Sequence, residues 1–134
     1  MKKIEHLGIA VKNIDVSEAL FETLLNVKSY KREIVESENV LTSFFKTGES
    51  KIELLQPTHE DSAIAKFIQN KGEGIHHIAF EVEDIEKELS RLKKEGFRLI
   101  HEVPKKGADN KLIAFLHPKS TNGVLIELCQ EITS

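Results

Sequence analysis

Two stretches of this 134-residue chain repeat, and the repeat narrows the folds open to it. Residues 4–15 read IEHLGIAVKNID and residues 75–86 read IHHIAFEVEDIE. Ile4 falls on Ile75, His6 on His77, Val11 on Val82 and Ile14 on Ile85, an offset of 71. Further on, IELLQ at 52–56 returns as IELCQ at 126–130, which places Glu53 on Glu127 at an offset of 74. A difference of three residues is what a surface loop absorbs. Two matches in the same order at nearly the same offset therefore mark two copies of one supersecondary unit.

Each copy opens on an alternating stretch, which predicts a strand. In the first, Ile4, His6, Gly8 and Ala10 share one face, and Glu5, Leu7, Ile9 and Val11 the other. In the second, His77, Ala79 and Glu81 oppose His76, Ile78, Phe80 and Val82. A helix is predicted after each strand. VSEALFETLLNV carries Val16, Leu20, Leu24 and Val27 at near-helical spacing, with Asp15 or Ser17 as N-cap. IEKELSRLKKEG carries Ile85, Leu89 and Leu92 and stops at Gly96. Each copy then has room for three strands, near 29–36, 40–47 and 50–56 and near 97–103, 111–117 and 123–130. Turns fall at Gly48-Glu49-Ser50 and from Pro118 through Gly123. Between the copies, EDSAIAKFIQNKGEG has Ile64, Phe67 and Ile68 at helical spacing, predicting a short helix capped near Asp61 or Ser62. The chain reads as one α+β domain over 1–134: a βαβββ module at about 1–56, a linker helix at about 57–73 and a second βαβββ module at about 74–130.

Composition removes several function classes. Hydrophobic residues make up 40% and charged residues 31%, the profile of an ordinary globular chain. A chain of this size buries roughly 65–70% of its unfolded surface, enough for a core without staples. The single cysteine, Cys129, excludes a disulfide scaffold and the zinc sites built on several cysteines. A net charge of −3 argues against a broad nucleic-acid surface. The start MKKIEHLGIAV has only a short apolar stretch, which predicts a first strand and not a signal peptide. No run approaches the roughly 20 apolar residues of a membrane helix. A cytoplasmic chain with no membrane or nucleic-acid partner is expected.

Six histidines are present, His6, His59, His76, His77, His101 and His117. The repeat equates His6 with His77 on the first strand of each module, and Glu53 with Glu127 on the last. A pseudo-twofold arrangement of the modules brings these four side chains toward one point. Two imidazoles and two carboxylates suit a divalent transition metal and leave an octahedral ion two positions for water or substrate, without selecting one metal. Each residue also has an ordinary reading: a hydrogen-bonded strand histidine, or a glutamate on the solvated face of a strand. His76 points away from His77 and is expected to pack or to hydrogen-bond. Cys129 shares the direction of Glu127 but reads as a small buried apolar residue.

The stretches IEHLGIAVKNID, KIELLQPTHEDSAIAKFIQNKGEGIHHIAFEVEDI and FLHPKSTNGVLIELCQ resemble the vicinal oxygen chelate superfamily, and within it the methylmalonyl-CoA epimerase family, over about residues 3–130. The resemblance implies a glyoxalase-type fold, two tandem βαβββ modules forming a curved mixed sheet around a metal site. It implies metal ligands at His6, Glu53, His77 and Glu127, the four positions that the repeat pairs. It implies a divalent metal ion, Co2+ first with Zn2+, Ni2+ or Mn2+ tolerated, an acyl-CoA substrate, a role in propionate metabolism and a homodimer. The implied reaction is an isomerisation, R/S interconversion at C2 of methylmalonyl-CoA. The C2 proton is weakly acidic, so a cation on the thioester and carboxylate oxygens would stabilise the enolate. Inversion also needs one acid/base group on each face. Glu127 is implied as one of these. Some relatives carry the other as a glutamate where this chain has Thr42, so Glu53, which replaces a glutamine of relatives, is the second candidate. Lys105, Lys106 and Lys111 around Gly107, and Lys119 in HPKS, are candidates to meet CoA phosphates, and read equally as solvated lysines.

Two other readings stay open. One is a glyoxalase I-type isomerase acting on a glutathione hemithioacetal, and the linker and the FLHPK turn favour the epimerase over it. The other is a non-catalytic small-molecule-binding member of the superfamily. A filled ligand set, no tryptophan and a single tyrosine, Tyr30, disfavour that reading. The fourth ligand argues against an extradiol dioxygenase, whose iron needs two histidines and one carboxylate.

Overall fold

The computed structural model describes residues 1–133. Strand β1 (Lys3–Ala10) leads into helix α1 (Ile14–Leu25), followed by β2 (Lys31–Val35), β3 (Val40–Thr47) and β4 (Ser50–Pro57). Helix α2 (Ala63–Lys71) comes next, then β5 (Gly74–Glu81), α3 (Ile85–Lys94), β6 (Lys105–Lys106), β7 (Lys111–Leu116) and β8 (Ile126–Glu131). Two compact units result, residues 6–76 and residues 1–5 together with 77 onward.

In the first unit β2 pairs with β3 and β3 with β4, both antiparallel, and β4 pairs with β1 in parallel. A parallel pair demands a crossover, and α1 with the β2–β3 hairpin supplies it. Helix α1 covers the sheet face that carries Leu41, Phe45, Ile52 and Leu54, burying Ile14 and packing Phe21 and Leu25 there. Helix α2 covers part of the other face, seating Ile64, Phe67 and Ile68 against Ala10, Val40 and Leu55. Ser62 caps α2 by accepting a hydrogen bond from the Ala65 N–H at 2.9 Å, as the sequence predicts.

The second unit repeats the plan. Strands β6 and β7, and β7 and β8, are antiparallel, and β8 runs parallel to β5. Helix α3 buries Ile85, Leu89 and Leu92 against Val82, Ala114, Leu116 and Leu128. Asp84 caps it through the Lys87 N–H. Among the described residues no helix is long and apolar enough to cross a membrane.

Two details differ from the sequence reading. Helix α1 starts at Ile14, and its cap is Asn13, whose Oδ1 accepts from the Asp15 and Val16 N–H groups, not Asp15 or Ser17. Val16, Leu20 and Leu24 are 64%, 57% and 67% exposed. The helix carries two apolar stripes, and periodicity alone does not say which turns inward. Burying Ile14 in the first turn sets the phase that puts Phe21 and Leu25 inside. The strand expected near 97–103 shrinks to a single Leu99–Leu116 bridge, with regular pairing only at Lys105–Lys106. Pro104 lacks the N–H that a continuous ladder would use there.

Helix α1 is tied to its sheet by charge as well. The Glu18 carboxylate accepts from Arg32 Nε at 2.8 Å and from the Ser43 hydroxyl at 2.6 Å, and Arg32 also donates to Asp15. The Arg32 hydrogen bond holds the Glu18 carboxyl below its ordinary value of 4.5 against the upward pull of burial, and Ser43 adds to the depression. A carboxyl depressed in the folded state stabilises the fold above its unfolded value, and that contribution fades as pH falls through the lowered value. Glu18→Gln is therefore expected to lower the melting temperature by a few degrees at neutral pH. The gap from wild type closes in acid, below about pH 4, in melting curves followed by circular dichroism.

Candidate functional site

Glu53 stands mid-strand on β4, opposite Gly8 on β1 and Phe44 on β3. Because paired residues share a face of the sheet, His6 on β1 lies on the Glu53 side. Its Nδ1 comes within 3.2 Å of Glu53 Oε2. The second unit is built alike. Glu127 on β8 stands opposite Ala79 on β5 and Phe115 on β7, and His77 Nε2 lies 3.2 Å from Glu127 Oε1. The His77 ring meets Phe115 edge-on, with centroids 5.6 Å apart. All four polar side chains are buried, none more than 5% exposed. Each unit thus joins the predicted histidine of its first strand to the predicted glutamate of its last.

A carboxylate this buried is costly unless it is paired, hydrogen-bonded, metal-bound or neutralised. One imidazole nitrogen and one carboxylate oxygen per pair are donors that divalent first-row cations accept. The donors of each pair therefore fit a divalent metal by type.

The glutamine that ends each repeated IELxQ has a use that sequence reading missed. Gln56 Oε1 accepts from the Ile14 N–H at 2.7 Å, and Gln130 Oε1 accepts from the Ile85 N–H at 2.8 Å. Each satisfies an otherwise unpaired donor in the first turn of a helix. The strand that presents the glutamate on one face thereby holds the start of its own unit's helix, α1 or α3, on the other. The matching offset of Ile14 to Ile85 and Gln56 to Gln130 was the available signal.

The remaining histidines do local work. His76 packs edge-on against Phe67, centroids 5.1 Å apart, the packing role expected for it. His59 Nδ1 accepts from the Asp61 N–H, His101 Nδ1 from the Phe115 N–H and His117 Nδ1 from the Lys119 N–H. Burial pushes the His117 pKa down, with smaller contributions from the charges of Arg98 and Lys119. In the HPKSTNG turn Ser120 Oγ accepts from the Arg98 N–H at 2.8 Å, which makes the segment a clamp on the chain after α3. Cys129 is fully buried, its thiol directed at the Phe80 carbonyl 3.6 Å away.

Lys111 is not a loop lysine. It is buried, 3.5 Å from Glu131 and 4.0 Å from Glu5, and so is engaged within the fold. Glu5 was missed because its place in an alternating strand looks like a solvated one, and its cation lies over a hundred residues away. Thr42 is 1% exposed, and its hydroxyl has no hydrogen-bond partner among the described residues.

Residues 5–115 match the Glyoxalase/Bleomycin resistance protein/Dioxygenase superfamily. The chain is 39% identical over 130 residues to the ethylmalonyl-CoA/methylmalonyl-CoA epimerase of Cereibacter sphaeroides, covering 96% of this chain and 97% of the relative. The crystal structure of methylmalonyl-CoA epimerase from Mycobacterium tuberculosis superposes with a TM-score of 0.94 at 33% identity, covering 98% of this chain and 89% of that one. A variant of the Streptomyces coelicolor methylmalonyl-CoA epimerase in complex with 2-nitronate-propionyl-CoA superposes with a TM-score of 0.93 at 32% identity, covering 99% and 96%. The chain belongs to the glyoxalase/bleomycin resistance protein/dioxygenase superfamily and has its α+β vicinal oxygen chelate fold. With relatives named as methylmalonyl-CoA epimerases over nearly its whole length, it is an isomerase of the epimerase type.

Gln130→Ala is expected to cost about 1 kcal/mol, the worth of one hydrogen bond at a helix start, without loss of fold. Urea unfolding checks this, and an unchanged midpoint would mean that the Ile85 N–H finds another acceptor.

Proposed function

We propose that this isomerase interconverts the R and S forms of methylmalonyl-CoA by moving the proton on C2, with His6, Glu53, His77 and Glu127 as the ligands of one divalent cation, cobalt first. The observation that supports this best is the buried His–Glu pair, which occurs twice at the same register in a chain whose relatives carry the epimerase name. When bound, the cation lowers the cost of negative charge on the thioester and carboxylate oxygens as the C2 proton leaves. The chain's own residues handle the proton. Glu127 takes it from one face of the acyl group, Glu53 returns one to the opposite face, and the reverse reaction exchanges their roles. Their equivalence in the repeat supports a symmetric division of labour. Their burial supports a site from which bulk water is kept, where a carboxylate holds a proton for return instead of losing it.

The acyl-CoA substrate is preferred over a glutathione hemithioacetal because the relatives compared are acyl-CoA epimerases, one of them in complex with 2-nitronate-propionyl-CoA. We place the chain in the cytoplasm, where a CoA thioester would be met, as part of propionate metabolism. We further propose that it works as a homodimer. The outward stripe Val16, Leu20 and Leu24 on α1, continued by the 40% exposed Val27, supports pairing with a second copy. Leu20→Glu in that stripe is expected to give a monomer in sedimentation, and an unchanged mass would remove α1 from the interface.

The function is tested with a single C2 isomer of methylmalonyl-CoA in D2O, using metal-stripped and cobalt-loaded protein. Deuterium uptake and isomer interconversion are expected only with metal. Glu53→Gln is expected to keep bound metal, read by elemental analysis, while interconversion falls by about 100-fold or more. Full activity in that variant would remove the proton role of Glu53. No exchange with any divalent ion would remove the epimerase reading, and the hemithioacetal of methylglyoxal becomes the substrate to test.

A further inference from the structure

Thr42 sits on β3 in the middle of the first unit's sheet, opposite Leu55 on β4 and Glu33 on β2. Two residues further along β3, Phe44 stands opposite Glu53. Thr42 therefore projects from the same sheet face as Glu53 and His6, a diagonal neighbour of Glu53 at about 7–8 Å by ordinary sheet geometry. Helix α2 packs on this face against Ala10, Val40 and Leu55, the last of which is the β4 partner of Thr42.

The hydroxyl is out of place there on energetic grounds. Thr42 is 1% exposed and its Oγ1 has no hydrogen-bond partner among the described residues. Leaving a buried hydroxyl unpaired is costly, and such groups in folded proteins call for an explanation. The repeat supplies an internal control. In the second unit Phe115 stands opposite Glu127, and the residue two places before it is Ile113. Ile113 packs with Ala79, Cys129 and Phe115 in an apolar cluster. The same place in the same sheet plan is thus filled by a β-branched aliphatic side chain. The fold does not require oxygen at this position, yet the first unit carries one, buried, on the face of its His–Glu pair.

We propose that Thr42 is a substrate-contacting residue, its hydroxyl donating a hydrogen bond to an oxygen of a carboxylated acyl thioester bound at the His6–Glu53 face. This rests on the acyl-CoA reading given above and assigns it a further contact. An alkyl hydroxyl is too weak an acid to serve as the proton-transferring group, but it is a good donor to an anionic or carbonyl oxygen. The cost carried by the free protein is recovered when the acyl oxygen arrives, which makes the contact stronger in the complex than in the fold alone.

The test compares Thr42→Val, which keeps shape and removes the hydroxyl, with Thr42→Ser, which keeps the hydroxyl. In ligand-free protein Thr42→Val is expected to melt at or above the wild-type temperature, since it removes an unpaired group. Its kcat/KM for methylmalonyl-CoA is expected to fall at least about tenfold, the worth of one hydrogen bond to a charged acceptor. Calorimetric binding of malonyl-CoA, a carboxylated thioester without the stereocentre, is expected to weaken by a similar factor. Thr42→Ser is expected to stay within about threefold of wild type in both measurements. Wild-type turnover and binding in Thr42→Val would overturn the proposal. So would a clearly lowered melting temperature in Thr42→Val alone, which would assign the hydroxyl a bond inside the fold. The two readings fail separately. Wild-type protein that exchanges no deuterium removes the epimerase reading, and the malonyl-CoA titration then decides the role of Thr42 on its own.

Discussion

Parallel pairing of the first and last strand of each βαβββ unit is the constraint on which the candidate site depends. Side chains on neighbouring strands share a face only in the right register. In β1 and β4 that register sets Gly8 beside Glu53 and brings His6 against its carboxylate, and in β5 and β8 it sets Ala79 beside Glu127 with His77 close by. A slip of one residue in either pair would turn the glutamate to the helix-covered face and strand a carboxylate in an apolar core. The crossover helix that parallel pairing requires also fills the opposite face, so one arrangement supplies both the polar pair and the hydrophobic core behind it.

Polar groups hold the helices where the site needs them. Gln56 and Gln130 lie three residues past the two glutamates, so they point to the other face, toward Ile14 and Ile85 at the helix starts. Each repeated IELxQ thus carries a site residue and the hydrogen bond that anchors the covering helix. Elsewhere the buried charges are matched: Lys111 lies between Glu5 and Glu131, and Glu18 is held by Arg32 and Ser43. Against this background the unpaired Thr42 hydroxyl is an exception, and it falls on the face that carries His6 and Glu53.

Much of this was legible in the chain itself. Strand positions near 40–47 and 50–56, helix α3 with Ile85, Leu89 and Leu92 inside, and the Ser62 cap of α2 follow from two- and 3.6-residue periods and from cap chemistry, which are local properties. His6 and Glu53, and His77 and Glu127, were marked by equal places in a repeat, and equal places in one supersecondary unit take equal positions in its sheet. Local signals failed where two answers were equally periodic or where a partner was distant. Helix α1 carries apolar stripes on two sides, and the segment after α3 had strand character but a proline where pairing would have continued.

The sequence by itself determined the repeat, the element types and the two histidine–glutamate correspondences, because each is written in spacing and offset. Tertiary structure alone decided which stripe of α1 faces in, since that depends on where the first turn buries Ile14 against β4. It alone placed Lys111 between Glu5 and Glu131 and left Thr42 without a partner among the described residues, since whether a buried polar group is satisfied depends on strands far away in the chain. Alternation can say that a residue points inward, but only the assembled sheet says what it meets there.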